Sequence, residues 1–425
     1  MSMPPRRGAV LAAVVVSAAL AGWLLPPPGR LLLLAAALVA ASAAIPAALL
    51  RRRRGLGAAG GIAALAVLCA AGLRLRYGGG DAYPDVTGKP ILSERALEPV
   101  VRSDEPIGNV AVSSDGRVFY TIHPESRPEG ARLLEWRGAR GVPWPSAEAQ
   151  GELGEVLGLA VDGRGRLWAI GHGGHGASPP RLVAFDLATG QLAHRHDFTD
   201  AQIGSFYQDL EVSRDGGTVY IADASFWRRN PAVVVYDVGR GEAVRRLEDD
   251  ASVYPQPWII RTPAGPMTFL GGLVALQTGI DGLVLSEDDR WLYYAAMSHD
   301  TLYRVKTADL RDPALSPDDL AARVEAVGRK PLSDGLGIDA AGNAIVTDVE
   351  HGGLVRIAPD GASTTLLATR RIRWSDGVTY GPGGWLYIAD SDIPDLMLRS
   401  KEHIRESGPY FVWRIHPDIG GLPGR

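Results

Sequence analysis

One strand–turn–strand unit recurs along most of this chain and restricts the folds that are open to it. Its clearest copy covers residues 279–305, where an apolar stretch at 283–285 is followed by a polar turn and then by Trp291-Leu-Tyr-Tyr-Ala-Ala. Short runs rich in β-branched and aromatic residues, bounded by polar turns, are typical of antiparallel strands. One such unit leaves apolar surface uncovered, so the copies must pack on one another.

Six copies of this unit can be aligned, and their spacing predicts a β-propeller. The copies are aligned at Asn109, Gly158, Asp209, Gly282, Gly335 and Gly377. The intervals between them are 49, 51, 73, 53 and 42 residues. Repeats of this length made of strands are typical of propeller blades, whereas leucine-rich repeats are shorter, at ~20–29 residues. We therefore predict an all-β, six-bladed propeller over residues 95–425, a linker at 79–94, and an inserted loop over one face at 249–272.

The first 78 residues differ in composition and predict a membrane anchor. Three apolar runs without a charged residue cover residues 8–25, 31–50 and 56–73. Each run is about long enough to cross a ~30 Å hydrocarbon layer as a helix. Because no small-residue cleavage site follows the first run, we expect three retained transmembrane helices rather than a cleaved signal peptide.

The placement of arginines predicts the orientation of this anchor. Arg6 and Arg7 precede the first run, and residues 51–54 are arginines between the second and third runs. The turn between the first two runs holds Arg30 alone. Positive charge marks the cytoplasmic side, so the N-terminus is expected there and everything after residue 73 on the far side. The sequence thus predicts a bacterial inner-membrane protein whose propeller is periplasmic or extracellular.

Charge and cysteine content limit the partners and the means of closure. Residues 1–78 contain nine arginines and no acid, so the remainder has 35 basic and 48 acidic residues, a formal charge of −13. An acidic body is a poor nucleic-acid binder. Cys69 is the only cysteine in the chain, so no intrachain disulfide can form. Strand pairing must close the propeller instead, and residues 410–415 are expected to complete a blade begun near its start.

Several short motifs, taken in order, resemble the major royal jelly protein and yellow family. They include Gly108-Asn-Val-Ala-Val-Ser, Ile280-Asp-Gly-Leu-Val-Leu-Ser, Ser333-Asp-Gly-Leu and Thr347-Asp-Val-Glu, and the resemblance covers about residues 95–416. It implies a six-bladed propeller, usually secreted, whose relatives are associated with dopachrome conversion or with binding small amines in the central channel. The membrane anchor, the lack of cysteine pairs, and Arg373-Trp-Ser-Asp in place of Trp-Pro-Asp depart from that family.

The architecture also resembles, more distantly, the gluconolactonase and paraoxonase propellers, in which inner-strand carboxylates and amides hold a divalent cation on the axis. The equivalent positions here are Asn109, Asp209, Asp281, Asp334 and Asp376. Innermost strands run beside the axis, so these side chains can share one small space. Carboxylates brought together repel, and a hard cation with oxygen ligands relieves the repulsion. We predict that these five residues bind a ligand, with Asp209, Asp281 and Asp334 as candidate ligands of a metal such as calcium.

A simpler role is open to the same aspartates. An aspartate before glycine at the start of a strand can serve only the local turn, by accepting backbone N–H groups. The two interpretations differ in where the side chains point, because turn residues need not meet at the axis.

Histidines supply two further hypotheses. His123 and His299 follow inner-half strands and are candidate acid–base residues at the channel mouth, because histidine titrates near neutral pH. The segment Gly171-His-Gly-Gly-His-Gly matches the GxGxxG pattern, but a strand follows it instead of a helix. We therefore expect no dinucleotide site there, and we expect its two histidines to face solvent.

Two functions from different classes remain open. The first is a membrane-anchored propeller that binds or converts a small molecule in its central channel. The second is a metal-dependent enzyme, either a hydrolase of the lactonase type or an isomerase of the dopachrome type. Propellers host both classes, so the fold alone cannot choose between them. The expected partners are a small molecule and the membrane.

Overall fold

A computed structural model describes residues 53–424, which fall into two units. One unit joins the chain up to Gly79 with Thr268–Ala275, and the other comprises Gly80–Met267 and the chain from Leu276 onward. The predicted transmembrane helices at 8–25 and 31–50 lie outside the described residues.

The smaller unit is built on one long helix. This helix, Arg53–Tyr77, contains the predicted third span at 56–73 and exposes Val67, Leu68 and Leu75. The unit also holds a hairpin of Thr268–Phe269 and Val274–Ala275 joined by a 3₁₀ turn. Among residues 63–424, whose side chains the structure describes, no helix is both long and apolar enough to cross a membrane, and the predicted span at 56–73 stays a prediction.

The larger unit is a six-bladed β-propeller, as predicted, and each blade is a four-stranded antiparallel sheet. Blade 1 consists of Ile107–Val112, Val118–Ile122, Leu133–Arg137 and Arg140–Pro143. Blade 2 consists of Val156–Val161, Arg166–Gly171, Arg181–Asp186 and Leu192–Asp197. Blade 3 consists of Tyr207–Val212, Thr218–Asp223, Ala232–Asp237 and Glu242–Arg246. Blade 4 consists of Ile280–Leu285, Trp291–Ala296, Thr301–Lys306 and Glu325–Arg329. Blade 5 consists of Leu336–Ile338, Ala344–Asp348, Gly353–Ile357 and Ser363–Ala368. Blade 6 consists of Ser375–Tyr380, Leu386–Asp390, Tyr410–Ile415 and Glu98–Ser103.

The first strand named in each blade is the inner one, and the six inner strands contact one another in a closed ring. Blade 6 closes the ring, because its outer strand, Glu98–Ser103, comes from the start of the domain and pairs with Tyr410–Ile415. This confirms that strand pairing completes the propeller. The pairing joins distant parts of the sequence and substitutes for a covalent link.

In blades 1, 3 and 4 the turn between the first and second strands has the sequence Ser-x-Asp. In blade 3 the Ser213 hydroxyl donates to Asp215 Oδ1 at 2.6 Å, and Gly216 follows with φ of 63°. In blade 4 the Ser286 hydroxyl donates to Asp288 Oδ1 at 2.7 Å, and Asp289 takes φ of 55°. Glycine, asparagine and aspartate tolerate this left-handed conformation best, so the pattern fixes a tight reversal at the same point of the blades that carry it.

Apolar side chains between neighbouring blades form the core. Between blades 2 and 3, for example, Trp168, Phe198 and Tyr236 are almost completely buried. Each blade has two apolar faces that require a neighbour, which is why the units cannot fold singly.

The segments around the blades are more structured than predicted. Residues 80–94, predicted as a linker, belong to the propeller unit, where Asp81–Ala82 pairs in parallel with Trp258–Ile259. The predicted insertion loop contains Trp258–Ile259 and a short pairing of Arg261–Thr262 with Gly265–Pro266. Short helices also join the strands, at Gln150–Leu153, Gly173–Gly176, Thr307–Arg311, Pro317–Ala321 and Lys401–Ser407. Single 3₁₀ turns lie at Glu94–Ala96, Pro124–Ser126, Ala251–Val253, Pro382–Gly384 and Ile393–Asp395.

Candidate ligand site at the propeller axis

The predicted ligand residues sit where the inner strands are irregular. The pairing between first and second strands shifts in register at Ile107/Val110, Tyr207/Asp209, Ile280/Leu283 and Ser375/Val378. A bulge of this kind bends a strand and turns a side chain away from its regular direction. Asn109, Asp209, Asp281 and Asp376 lie at these four irregularities, and Asp334 immediately precedes Gly335 and the inner strand of blade 5.

The glycines that follow three of these aspartates show why the Asp-Gly pairs recur. A Cβ atom on Gly335 would lie 2.2 Å from the carbonyl oxygen of Asp376, and one on Gly282 would lie 2.4 Å from that of Asp334. A Cβ atom on Gly377 would lie 2.3 Å from Asn109 Oδ1. The glycines therefore permit close contact between neighbouring inner strands. At Gly282 and Gly377 the pair lies within a strand and is not part of a reversing turn.

The five side chains lie near one another across the axis. Asn109 Nδ2 donates to Asp209 Oδ1 at 3.4 Å, which joins blade 1 to blade 3. Asp209 and Asp376 belong to opposite blades, yet the charge of Asp209 raises the pKa of Asp376 further, after burial and Asp334. We call Asn109, Asp209, Asp281, Asp334 and Asp376 the axial cluster.

Few donors serve the carboxyl groups of the axial cluster. Trp374 Nε1 donates to Asp334 Oδ2 at 2.6 Å, and Thr278 Oγ1 donates to Asp281 Oδ2 at 3.2 Å. Asp281 is completely buried, and no hydrogen-bond donor for its Oδ1 is found in the described part of the chain. A buried carboxylate oxygen without a donor is costly, so this atom is available to a proton or to a positively charged group.

Burial and mutual repulsion favour the protonated form of these carboxyl groups. Burial is the larger cause and neighbouring carboxylates the second, and together they raise the pKa of Asp209, Asp281 and Asp376 well above the ordinary aspartate value. Burial also raises the pKa of Asp334 to about 6, although the hydrogen bond from Trp374 opposes the rise. A positive charge at the axis would replace these protons.

The metal hypothesis requires three ligands at one point. Among residues 63–424, whose side chains the structure describes, no group of three histidine, cysteine, aspartate or glutamate side chains is found that could hold a metal ion. The oxygen donors of the axial cluster are of the type that calcium prefers. The assignment of Asp209, Asp281 and Asp334 as metal ligands stays a prediction, and we derive no chemistry through a metal.

The space beside the axial cluster is small and closed at one end. A cavity of about 20 Å³ is lined by residues that include Asn109, Asp209, Glu211 and Gly424. This is room for about one water-sized group. Residues near the C-terminus cover the end where the inner strands finish, because Gly424 N donates to the Tyr380 carbonyl at 2.8 Å and a Cβ on Gly424 would meet Val161 at 3.2 Å. A ligand would therefore have to approach from the opposite face.

The two predicted acid–base histidines lie in blades on opposite sides of the ring. Both are buried, and burial lowers the pKa of His123 and of His299 to about 4, so both are neutral at neutral pH. His123 Nδ1 accepts from Glu125 N at 3.1 Å, and His299 Nδ1 accepts from Thr301 N at 3.0 Å. The proton of each neutral ring is thereby placed on Nε2. Their catalytic role stays a prediction.

A second cluster of ionisable side chains was not predicted. It consists of His123, Glu125, His172 and His175, and we call it the seam cluster because His175 Nε2 and Glu125 Oε1, 2.7 Å apart, join blades 2 and 1. The prediction that the GxGxxG histidines face solvent is wrong for His172, which is 3 % exposed. Burial lowers the pKa of His172 to about 3.

An unusual loop backbone places these histidines. Residues 173–176 all have positive φ, between 56° and 74°, and His175 is the one non-glycine among them. Its ring stacks on Phe206 with centroids 4.7 Å apart. A Cβ on Gly176 would lie 2.7 Å from Gly204 N. The glycines of the GxGxxG segment therefore allow this close packing. A possible sequence signal was that His123 and His172 each follow directly the second strand of their blade.

Comparisons with known proteins agree with this architecture. The family model described as major royal jelly protein matches residues 155–365. Major royal jelly protein 1 of Apis mellifera is 29% identical over 178 residues, which cover 38% of this chain and 39% of that protein. The chain therefore matches well under half of the length of this relative.

Two solved structures of low sequence identity are similar to this chain. A calcium-binding protein, regucalcin, from Agrobacterium tumefaciens is 12% identical with a TM-score of 0.51, and the match covers 79% of this chain and 98% of that chain. A gluconolactonase from Xanthomonas campestris is 17% identical with a TM-score of 0.48, covering 80% and 91% of the two chains. The match to the family model confirms the resemblance predicted from the sequence. The matched residues, 155–365, lie within the six-bladed propeller.

Proposed function

We propose that the propeller binds a small cationic molecule by placing its ammonium group at the axial cluster. The observation that carries this proposal is the convergence of four aspartates from four blades, three of them buried and Asp209 half-buried. One of them, Asp281, has a carboxylate oxygen without a donor among the described residues. Buried like charges are relieved either by protons or by a bound cation. The cavity of about 20 Å³ beside Asn109 and Asp209 has room for one small charged group such as an ammonium.

The direct test is calorimetric titration of the purified full-length protein with methylammonium chloride, and separately with calcium chloride. We expect saturable binding of methylammonium, and at least a tenfold loss of affinity in Asp281→Asn, which keeps the shape and removes the charge. Asp104→Asn is the matched control, because the Asp104 side chain is 90% exposed.

Two outcomes would overturn this assignment. Methylammonium binding that is absent, or equal in wild type and Asp281→Asn, would remove the axial cluster as the site. Stoichiometric calcium binding that is lost in Asp281→Asn, with no amine binding, would favour the metal-dependent hydrolase or isomerase instead. Such an enzyme would also need His123 or His299, and alanine substitutions there would then lower activity.

We further propose that the N-terminal region anchors the propeller at a membrane, on the extracytoplasmic side. The support lies in the charge-free apolar runs at 8–25, 31–50 and 56–73 and in the arginines at 51–54. A bacterial alkaline phosphatase fused after the last residue of the chain tests the orientation, because this reporter is active only outside the cytoplasm. An inactive phosphatase fusion beside a fluorescent GFP fusion at the same position would refute it.

A further inference from the structure

Lys330 is a buried lysine close to the axial cluster that no motif in the sequence indicated. Its side chain is completely buried in the connection between blades 4 and 5, four residues before Asp334. Nζ donates to the Pro331 carbonyl at 3.1 Å and to Ser333 Oγ at 2.9 Å. Both acceptors are neutral, and no ion pair of Lys330 with a carboxylate is found in residues 53–424. Lysine is almost never fully buried unless it is paired.

The backbone around Lys330 holds the ammonium group in place. Its N–H donates to the Asp300 carbonyl at 2.8 Å, and its carbonyl accepts from Tyr83 Oη at 2.7 Å. These bonds come from two different segments packed against the connection. The backbone of Lys330 is therefore fixed from two sides, and Nζ is held by its own bonds to the Pro331 carbonyl and Ser333 Oγ.

The titratable groups that interact electrostatically with Lys330 come from the axial cluster and from blades 4 and 5. They are Asp281, Asp300, Asp348 and His299. Burial lowers the pKa of Lys330 to about 7, while Asp300, Asp281 and Asp348 oppose this decrease. In turn, Lys330 lowers the pKa of His299, after burial. Lys330 and Asp281 thus interact electrostatically, without an ion pair between them.

We propose that Lys330 is a specificity-determining residue of the axial cluster, whose internal positive charge weakens the binding of divalent metal ions more than that of an ammonium group. The proposal rests on the proposed function and adds the residue that sets the preference for a monovalent over a divalent cation. Electrostatic repulsion scales with the product of the two charges. A divalent ion therefore loses twice as much binding free energy to Lys330 as a monovalent one does.

This factor of two makes the proposal measurable. We would titrate wild type and Lys330→Met with methylammonium and with calcium at pH 6.5, where Lys330 carries most of its charge. We expect about a threefold gain in methylammonium affinity and about a ninefold gain in calcium affinity, since a doubled free energy squares the ratio. Lys89→Met, at an exposed lysine, removes the same net charge and is expected to change neither. If Lys330→Met does not fold, Lys330→Gln removes the charge and keeps a donor for Ser333.

The outcomes separate this inference from the proposed function. Methylammonium binding by wild type, with equal gains or no gain for the two cations in the variant, would refute the role of Lys330 and leave the axial site intact. Equal gains are what a merely structural loosening of the site would give. If neither cation binds wild type or variant, the proposed function fails and the role of Lys330 fails with it.

Discussion

The axial cluster and the seam cluster are both buried groups of ionisable side chains, but their acids are affected in opposite directions. In the axial cluster, burial and neighbouring carboxylates raise the pKa of Asp281 well above its ordinary value. In the seam cluster, burial also acts to raise the pKa of Glu125, but the hydrogen bond from His175 and the nearby imidazoles outweigh it and lower the pKa to about 2. Burial therefore does not by itself decide the charge of a carboxyl group in this propeller, because its neighbours decide it.

The difference has a functional meaning. The seam cluster already contains its own partners, since Glu125 has His175 at 2.7 Å. The axial cluster contains four acids and no base within hydrogen-bonding distance. A self-compensated cluster stabilises the join between blades, whereas an uncompensated one is a site for an external positive charge.

The largest expected losses of stability come from glycines in the two regions whose surroundings leave no room for a Cβ atom. Gly335→Ala would place a Cβ 2.2 Å from the Asp376 carbonyl oxygen, which is backbone and cannot move without displacing an inner strand. We expect a loss of about 4 kcal/mol in the free energy of unfolding, beyond the usual cost of overpacking. Gly176→Ala in the seam loop combines φ of 74° with a contact of 2.7 Å, and we expect about 3 kcal/mol there. Urea denaturation measures both.

Gly88→Ala is the control for these two substitutions, because the nearest atom to its Cβ would be Thr365 Oγ1 at 3.9 Å. We expect its effect to stay within about 0.5 kcal/mol. If Gly335→Ala were equally mild, the inner strands could not be packed as closely as described, and the geometry of the axial cluster would be wrong.

Glu125→Gln tests whether the seam cluster is self-compensated. A carboxyl group whose pKa is lowered in the folded state stabilises the fold above its ordinary pKa of 4.5, and the contribution is lost as the pH falls towards about 2. We expect Glu125→Gln to lower the free energy of unfolding by about 2–3 kcal/mol at pH 7, and by much less near pH 3. Glu406→Gln, at an exposed glutamate, is the control. A loss that is independent of pH would show that shape, not charge, matters at Glu125.

Asp376→Asn tests the axial cluster, where the expected change in the free energy of unfolding has the opposite sign. A carboxyl group whose pKa is raised in the folded state favours unfolding above its ordinary pKa of 3.8, because the unfolded chain can ionise there. We expect Asp376→Asn to raise the free energy of unfolding by about 1–2 kcal/mol at pH 7.5 and to leave it unchanged near pH 3.5. Denaturation at both pH values measures it. Destabilisation at both would instead support the simple turn role considered for the Asp-Gly pairs.

The sequence predicted the architecture well because the blade is a local unit. Strand, polar turn and strand lie within about 20 residues, so their pattern is recognisable in each copy. The pairing of Tyr410–Ile415 with a strand from the start of the domain followed from the need to close the ring. The packing of residues 80–94 and the short strands of the insertion did not follow, because they depend on long-range pairing.

The candidate site was predicted only in part. Asn109, Asp209, Asp281, Asp334 and Asp376 were identified from their equivalent positions in the repeats, and the structure places them together. Lys330 and His175 lie in connections between strands, whose course no local pattern specifies. His172 was expected to face solvent because its neighbours are glycines, yet those glycines are what allow the loop to pack inward.

The sequence by itself determined the number of blades, the aspartates of the inner strands and the acidic character of the propeller, because all three are written in residues that are near one another or repeated. Only the tertiary structure decided which acids meet a base and which meet one another. That distinction depends on contacts between blades 50 or more residues apart, such as His175 with Glu125. The charge state of a buried group follows from such contacts, and so does the kind of ligand that the axis can accept.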